Sequence, residues 1–257
     1  MLSSLDPQVK VQRLHVDFIE SDGTLEVLDD LNFEIEAGSF TCVIGPSGGG
    51  KSTLLRTLAG LISPSSGGIL IDGQSPDKAE IGMVFQKPNL MPWRTLEQNI
   101  SLPLELDGFN GPVLQEKTHQ LVNLVGLEGF EGHFPHELSG GMAQRASIAR
   151  ALIRDPKLLL LDEPFGQLDA FTRERMGDEL LRIWEEKQQT VLMVTHSIPE
   201  AVYLSDRILV LSSRPARIKQ DLLIALPRPR KEGLQFSPAF NNYCNRLHEE
   251  LEPELKT

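Results

Sequence analysis

Apolar and polar residues first alternate at period two. Between Val9 and Ile35 the positions Val11, Phe18, Val27, Leu28, Leu31, Phe33 and Ile35 predict β structure, broken by a turn at Ser21-Asp22-Gly23. Leu31, Phe33 and Ile35 interleave with Asn32, Glu34 and Glu36, the period of a half-buried strand. After Ala37-Gly38 a short apolar strand, Phe40-Thr41-Cys42-Val43-Ile44, runs into a glycine-rich turn, and Lys51 to Leu61 predicts a helix. From about Pro88 to Pro156, Pro, Gly, His and amphipathic patterns replace β-branched runs, which predicts a mostly helical insert. Apolar strands return at Lys157 to Leu161, Thr190 to Thr195 and Arg207 to Leu211. A helix carrying Met176, Leu180, Leu181, Ile183 and Trp184 separates the first two. Such alternation predicts an α/β fold with a parallel sheet covered by helices.

Charge and cysteine content change this picture only slightly. The net charge of -11 provides no overall basic field for nucleic acid. The two cysteines, Cys42 and Cys244, lie far apart and form no CxxC pair. Cys42 reads as a small buried hydrophobe, and the pair suggests a reducing compartment. The opening MLSSLDPQVK lacks a charged start followed by an apolar stretch, so no signal peptide is expected. No apolar run reaches about 18 residues, so any link to a membrane is expected to go through a partner.

Two segments carry chemistry. Gly45-Pro46-Ser47-Gly48-Gly49-Gly50-Lys51-Ser52 fits G-x-x-x-x-G-K-[ST] between a predicted strand and helix. Glycines let the backbone turn tightly and aim several N–H groups at a phosphate. The helix starting near Lys51 adds the positive end of its dipole. Lys51 is expected to reach the β and γ phosphates of ATP, with Ser52 on Mg²⁺ and Thr53 completing the nucleotide-binding run. The second segment is Leu158-Leu159-Leu160-Leu161-Asp162-Glu163-Pro164, where two carboxylates emerge at the carboxyl end of a buried strand. Asp162 is expected to hold Mg²⁺ and Glu163 to polarise the attacking water. Alternation along an extended strand is expected to point them to different sides.

With these in place, Leu138-Ser139-Gly140-Gly141 resembles the signature motif of the ABC ATPases. Gln86 is similar to the family's Q-loop glutamine, Leu168-Asp169 to its D-loop, and His196, after the strand ending at Thr195, to its switch histidine. The resemblance covers roughly residues 9 to 225. It implies a P-loop NTPase fold with a RecA-like parallel-sheet core, an N-terminal antiparallel β subdomain and an inserted helical subdomain. Residues 9–87 and 156–225 would form the core with the β subdomain, 88–155 the helical subdomain and 226–257 a tail, in one domain. It also implies ATPase activity with ATP and Mg²⁺, and a head-to-tail dimer. There Ser139, Gly140, Gly141 and Asp169 of one subunit would meet the nucleotide on the other. Gln86 would sense metal and γ-phosphate, and His196 would bond the γ-phosphate and hold the attacking water. Phe18 is the candidate to stack on adenine, with a core phenylalanine the alternative. Gly49, Met142 and Gln167 depart from the family's commoner residues without removing a phosphate ligand or the base.

The stretches Pro88 to Ile100, Asp162 to Arg173 and His196 to Ile218 are similar to importers of nitrate, sulfonates and taurine, a pattern that bicarbonate, cyanate and pyrimidine-precursor importers share. This implies two membrane-spanning permease subunits, an extracytoplasmic binding protein, no nucleic-acid partner and a place on the cytoplasmic face of the membrane. Met91 and Trp93 read either as apolar anchors for a permease helix or as plugs of the insert's core. Arg228, Arg230 and Lys231 read as a solvated charge cluster, or else as a contact for lipid or a membrane partner. His133 and His136 lack metal-site spacing and read as surface or capping residues. After this tail no added regulatory domain is expected.

Overall fold

A computed structural model describes residues 8–21, 23–231 and 233–251. Asp22 of the predicted turn, residues 1–7 of the opening segment read for a signal peptide, and residues 232 and 252–257 of the tail lie outside them. In chain order the elements begin with β1 (Val9–Glu20), β2 (Gly23–Ile35), β3 (Phe40–Ile44), α1 (Lys51–Leu58), β4 (Ser66–Ile71) and β5 (Ile81–Val84). Helices α2 (Leu96–Leu106), α3 (Gly111–Leu124) and α4 (Gly140–Leu152) follow. The chain continues through β6 (Leu158–Asp162), α5 (Ala170–Lys187), β7 (Thr190–Val194) and α6 (Ile198–Leu204). It finishes with β8 (Arg207–Leu211), β9 (Ile218–Leu223) and α7 (Pro238–Leu251). Among the described residues no helix is long and apolar enough to cross a membrane.

Two compact units result. One holds the residues up to Ala79 with those from Thr190 onward, the other Glu80–Gln189. In the first, β1 lies between β2 and β4 in an antiparallel sheet, with Val9 opposite both Ile35 and Ile71. Leu31, Phe33 and Ile35 are buried while Asn32, Glu34 and Glu36 are exposed, as their alternation predicts. Gly67 on β4 has φ +82°, and a Cβ there would fall 2.0 Å from the Arg13 carbonyl oxygen. Gly67→Ala should therefore lower stability by about 2 kcal/mol in a chemical-denaturation measurement. The same unit carries β3 between β7 and β8, both parallel to it, with Cys42 opposite Met193 and Ile208. All five β3 residues are buried, as a strand covered on both faces requires.

Four details differ from the sequence reading. First, α1 stops at Leu58 rather than Leu61. Gly60, at φ +72°, takes the left-handed position while Leu61 N–H bonds the Arg56 carbonyl at 2.8 Å and Gly60 N–H the Thr57 carbonyl at 3.1 Å. Second, β9 pairs antiparallel with β8, Ile208 opposite Leu222, so this sheet is mixed. Its sequence, IKQDLL, is too polar to signal a buried strand, but it suits a sheet edge. Third, the tail, for which no element is predicted, carries α7, which buries Phe240, Cys244, Leu247 and Leu251. Fourth, Arg230 is not solvated. Its side chain is fully buried and donates to the carbonyls of Tyr203, Ser205, Leu226 and Pro227. Burial first, then the Arg228 charge beside it, lowers its pKa to about 10, so it remains a cation at neutral pH.

The second unit pairs β5 with β6 in parallel, Gly82 opposite Leu159, and packs α2 with α3 and α4. A capping box starts α2: Thr95 Oγ1 accepts from Gln98 N–H, and Gln98 Oε1 accepts from Thr95 N–H.

Candidate nucleotide site

The phosphate loop joins β3 to α1 within the first unit. Gly50 precedes the helix at φ +86°, and a Cβ there would lie 2.8 Å from Leu28 Cδ2 and 3.1 Å from Val27 Cγ1. Only glycine meets both demands, so the loop can fold back on β2. Gly49 is also tight, since a Cβ would stand 3.0 Å from the Pro46 carbonyl oxygen. Pro46, Gly49 and Lys51 are buried, whereas Ser47 and Gly48 are exposed at the tip. Lys51 Nζ donates to the carbonyls of Gly45 at 2.9 Å and Pro46 at 2.7 Å, which curls the ammonium back over the loop. Ser52 and Thr53 follow in the first turn of α1.

His196 lies in the same unit, exposed on the loop between β7 and α6. Its neighbours are fixed on both sides. Thr195 Oγ1 accepts from Ser197 N–H at 3.0 Å and bonds the Glu200 carboxylate, while Ser197 Oγ accepts from Glu200 N–H.

The carboxylates belong to the second unit. Asp162 is buried at the end of β6, and Glu163 follows with φ +44°. The strand has already ended there, so the two residues are not consecutive strand positions and pleat alternation does not set the direction of Glu163. This corrects the expectation from the sequence. Gln86, two residues beyond β5, donates from Nε2 to Glu163 Oε2 at 3.3 Å, so β5 and β6 bring together two predicted residues far apart in sequence.

The signature residues open α4. Ser139 caps it, its Oγ accepting from Met142 N–H at 3.3 Å. At Gly141 a Cβ would stand 3.2 Å from Thr172 Cγ2, so the glycine lets α5 approach. Gly140 lies beside Leu168. Asp169 caps α5, accepting from Thr172 N–H at 3.0 Å and Thr172 Oγ1 at 2.7 Å. Those bonds, the hydroxyl's first, hold its carboxyl below the usual range. The cap is complete above the ordinary carboxylate pKa and is lost as pH falls through the lower folded value. In a pH series of thermal melts, Asp169→Asn should flatten this part of the acid limb.

Phe18 sits on β1 opposite Leu25 and is 37% exposed, so it is no core residue. Trp93 is 71% exposed, which excludes the plug. Its segment is pinned by two residues that sequence reasoning missed. The buried Asn99 accepts from Met91 N–H at 2.6 Å and donates to the Arg94 and Thr95 carbonyls, and Arg150 donates to the carbonyls of Pro88 and Asn89, both at 2.8 Å. A polar residue on an apolar helix face, as Asn99 is between Leu96 and Ile100, was the available signal. His136 is exposed and stacks with Phe134, and His133 is partly exposed beside Phe130.

Among the described residues no group of three or more His, Cys, Asp or Glu could hold a metal by itself. Ser52 in the first unit carries a hydroxyl and Asp162 in the second a carboxylate, each an oxygen ligand of the kind Mg²⁺ takes when phosphates complete its shell. The residues therefore fit a nucleotide-borne Mg²⁺.

The glycine-rich loop between β3 and α1, with Lys51 folded over it and Ser52 in the first turn of the helix, defines a P-loop nucleotide-binding protein. Residues 28–166 match the ABC transporter family. Over 247 residues, 95% of this chain and 96% of the relative, it is 44% identical to the aliphatic sulfonates import ATP-binding protein SsuB of Bacillus cereus. It is also 44% identical over 238 residues, 90% of each chain, to the nitrate import ATP-binding protein NrtD of a Synechocystis species. Among solved structures it is similar to the dimeric post-hydrolysis state of the ATP-binding cassette MJ0796 bound to ADP and Pi. That match has a TM-score of 0.75 at 30% identity, over 85% of this chain and all of that one. The chain belongs to the ABC transporter family, as an ATP-binding subunit that hydrolyses ATP to energise transport.

Proposed function

We propose that this subunit drives import of a small anion or organic solute of the sulfonate, nitrate, taurine or bicarbonate type. The cargo class is supported by its similarity to the sulfonate and nitrate import proteins. The catalytic part rests above all on the pairing of Gln86 with Glu163 beside the buried Asp162.

In this reading the loop Gly45 to Lys51 wraps the phosphates with backbone amides, and Lys51 neutralises the β and γ oxygens. Ser52, Asp162 and Gln86 hold Mg²⁺, which when bound supplies Lewis-acid neutralisation of the phosphate oxygens. Glu163 accepts a proton from the attacking water, Gln86 keeps that carboxylate oriented, and His196 bonds the γ-phosphate. Phe18 stacks on adenine. Ser139, Gly140, Gly141 and Asp169 act on nucleotide held by a second ATPase subunit, in a head-to-tail dimer. Two permease subunits take the stroke, with Met91 and the exposed Trp93 as anchors on the ATPase side, and an extracytoplasmic binding protein delivers the cargo. The complex places this chain on the cytoplasmic face of the membrane. One domain carries all of this, with residues 88–155 as its helical part and 226–257 as its tail.

The dimer is tested by light scattering on Glu163→Gln during size-exclusion chromatography. ATP should convert the monomer into a dimer, and a monomer at saturating ATP would remove the head-to-tail arrangement.

A further inference from the structure

We infer that Arg230, helped by Arg228, is a positioning residue for His196, acting through helix α6. The inference rests on the reading of His196 as the γ-phosphate contact. Helix α6 has seven residues, too few to hold its shape or direction alone. His196 stands two residues before it, clasped between Thr195 and Ser197, both tied to Glu200 in the helix's first turn. The histidine therefore follows wherever the start of α6 points.

The other end is where the tail acts. The last carbonyls of a helix have no partner within it. Here Arg230 Nε donates to the Tyr203 carbonyl at 3.1 Å, Arg228 Nη2 to Leu204 at 2.6 Å, and Arg230 Nη2 to Ser205 at 2.7 Å. Three successive carbonyls are thus taken by two guanidinium groups from outside the helix. Arg230 Nη1 turns the other way, to the carbonyls of Leu226 and Pro227, so it rivets the tail to the helix end. Arg228 Nε also donates to Asp206 Oδ1 at 2.7 Å, and Asp206 Oδ2 accepts from Phe40 N–H at 3.1 Å. That contact refers the end of α6 to the start of β3, the strand that leads into the phosphate loop.

The mechanical consequence follows from length. Seven residues make a rod about 10 Å long, and a tilt of about 6° moves one end by about 1 Å relative to the other. A displacement of that size at a catalytic contact costs up to roughly a hundredfold in rate. Freeing the carbonyl end of α6 lets His196 wander while the phosphate loop and Lys51 keep their own contacts.

The test is steady-state ATPase of the full chain with Arg230→Ala, Arg230→Lys and Arg228→Lys, each alone and with His196→Ala. An ammonium cannot reproduce a fork spread over four carbonyls, so Arg230→Lys carries the test if Arg230→Ala does not fold, and thermal melts show which variants are folded. The expected result is a kcat lower by about tenfold, with KM for ATP within about twofold of the parent. In the His196→Ala background the same substitutions should change kcat by less than about twofold, because the residue they position is gone. The inference is overturned if the Arg230 variants keep the parent kcat, if only KM changes, or if their effect is undiminished without His196. A parent rate for His196→Ala alone would remove the reading of His196 itself, and the inference with it.

Discussion

Glu163→Gln is expected to lower ATP turnover about a hundredfold or more while leaving ATP affinity within a few-fold of the parent. The amide matches the carboxylate in shape, and its oxygen can still accept the hydrogen bond that Gln86 Nε2 makes to Glu163 Oε2. Geometry is kept and only proton affinity is lost, which separates base chemistry from binding. Glu163 also holds a left-handed backbone at φ +44°, a conformation that costs a non-glycine residue about 1–3 kcal/mol. A surface carboxylate with no task at this position would gain stability by becoming glycine. Phosphate release measured beside equilibrium ATP titration gives both quantities. A variant that hydrolyses ATP at the parent rate would show that Glu163 is not the base.

Lys51→Ala is expected to weaken ATP binding roughly ten- to a hundredfold. Charge-assisted hydrogen bonds contribute about 1.5–3 kcal/mol, and each 1.4 kcal/mol is a factor of ten in affinity. Its ammonium is buried and bonds the Gly45 and Pro46 carbonyls, so the side chain also braces the loop from inside. Both losses act in the same direction. Isothermal titration with ATP measures the effect, and an unchanged affinity would mean that the phosphates are held elsewhere.

Much of this arrangement is legible in the sequence because the physics is local there. A glycine-rich turn between an apolar strand and a helix marks the phosphate loop, and Leu158 to Leu161 place Asp162 at the buried end of β6. Strand and helix types follow from periods that survive tertiary packing. What fails to show depends on partners distant in sequence. Arg230 looks like one of three surface cations, yet carbonyls of Tyr203 and Ser205, more than twenty residues earlier, draw it inside. Polar β9 forms only because β8 offers an edge, with Arg207 Nε donating to Asp221 Oδ1 at 2.7 Å. The left-handed turn at Glu163 has no signal either, because glutamate rarely adopts that conformation. The sequence leaves Trp93 open between anchor and plug, because the ties that Asn99 and Arg150 make to Met91 and Asn89 come from residues outside its own segment, and they hold the backbone while the ring stays exposed.

Coupling of ATP hydrolysis to import is tested by uptake of an alkanesulfonate, taurine, nitrate, bicarbonate and cyanate in cells whose only copy of this chain carries Glu163→Gln. Uptake of one compound, or one chemically related group, is expected to collapse against the parent strain while the others continue. Unchanged uptake of all five alongside abolished ATP turnover in the purified variant would contradict an importer of this class.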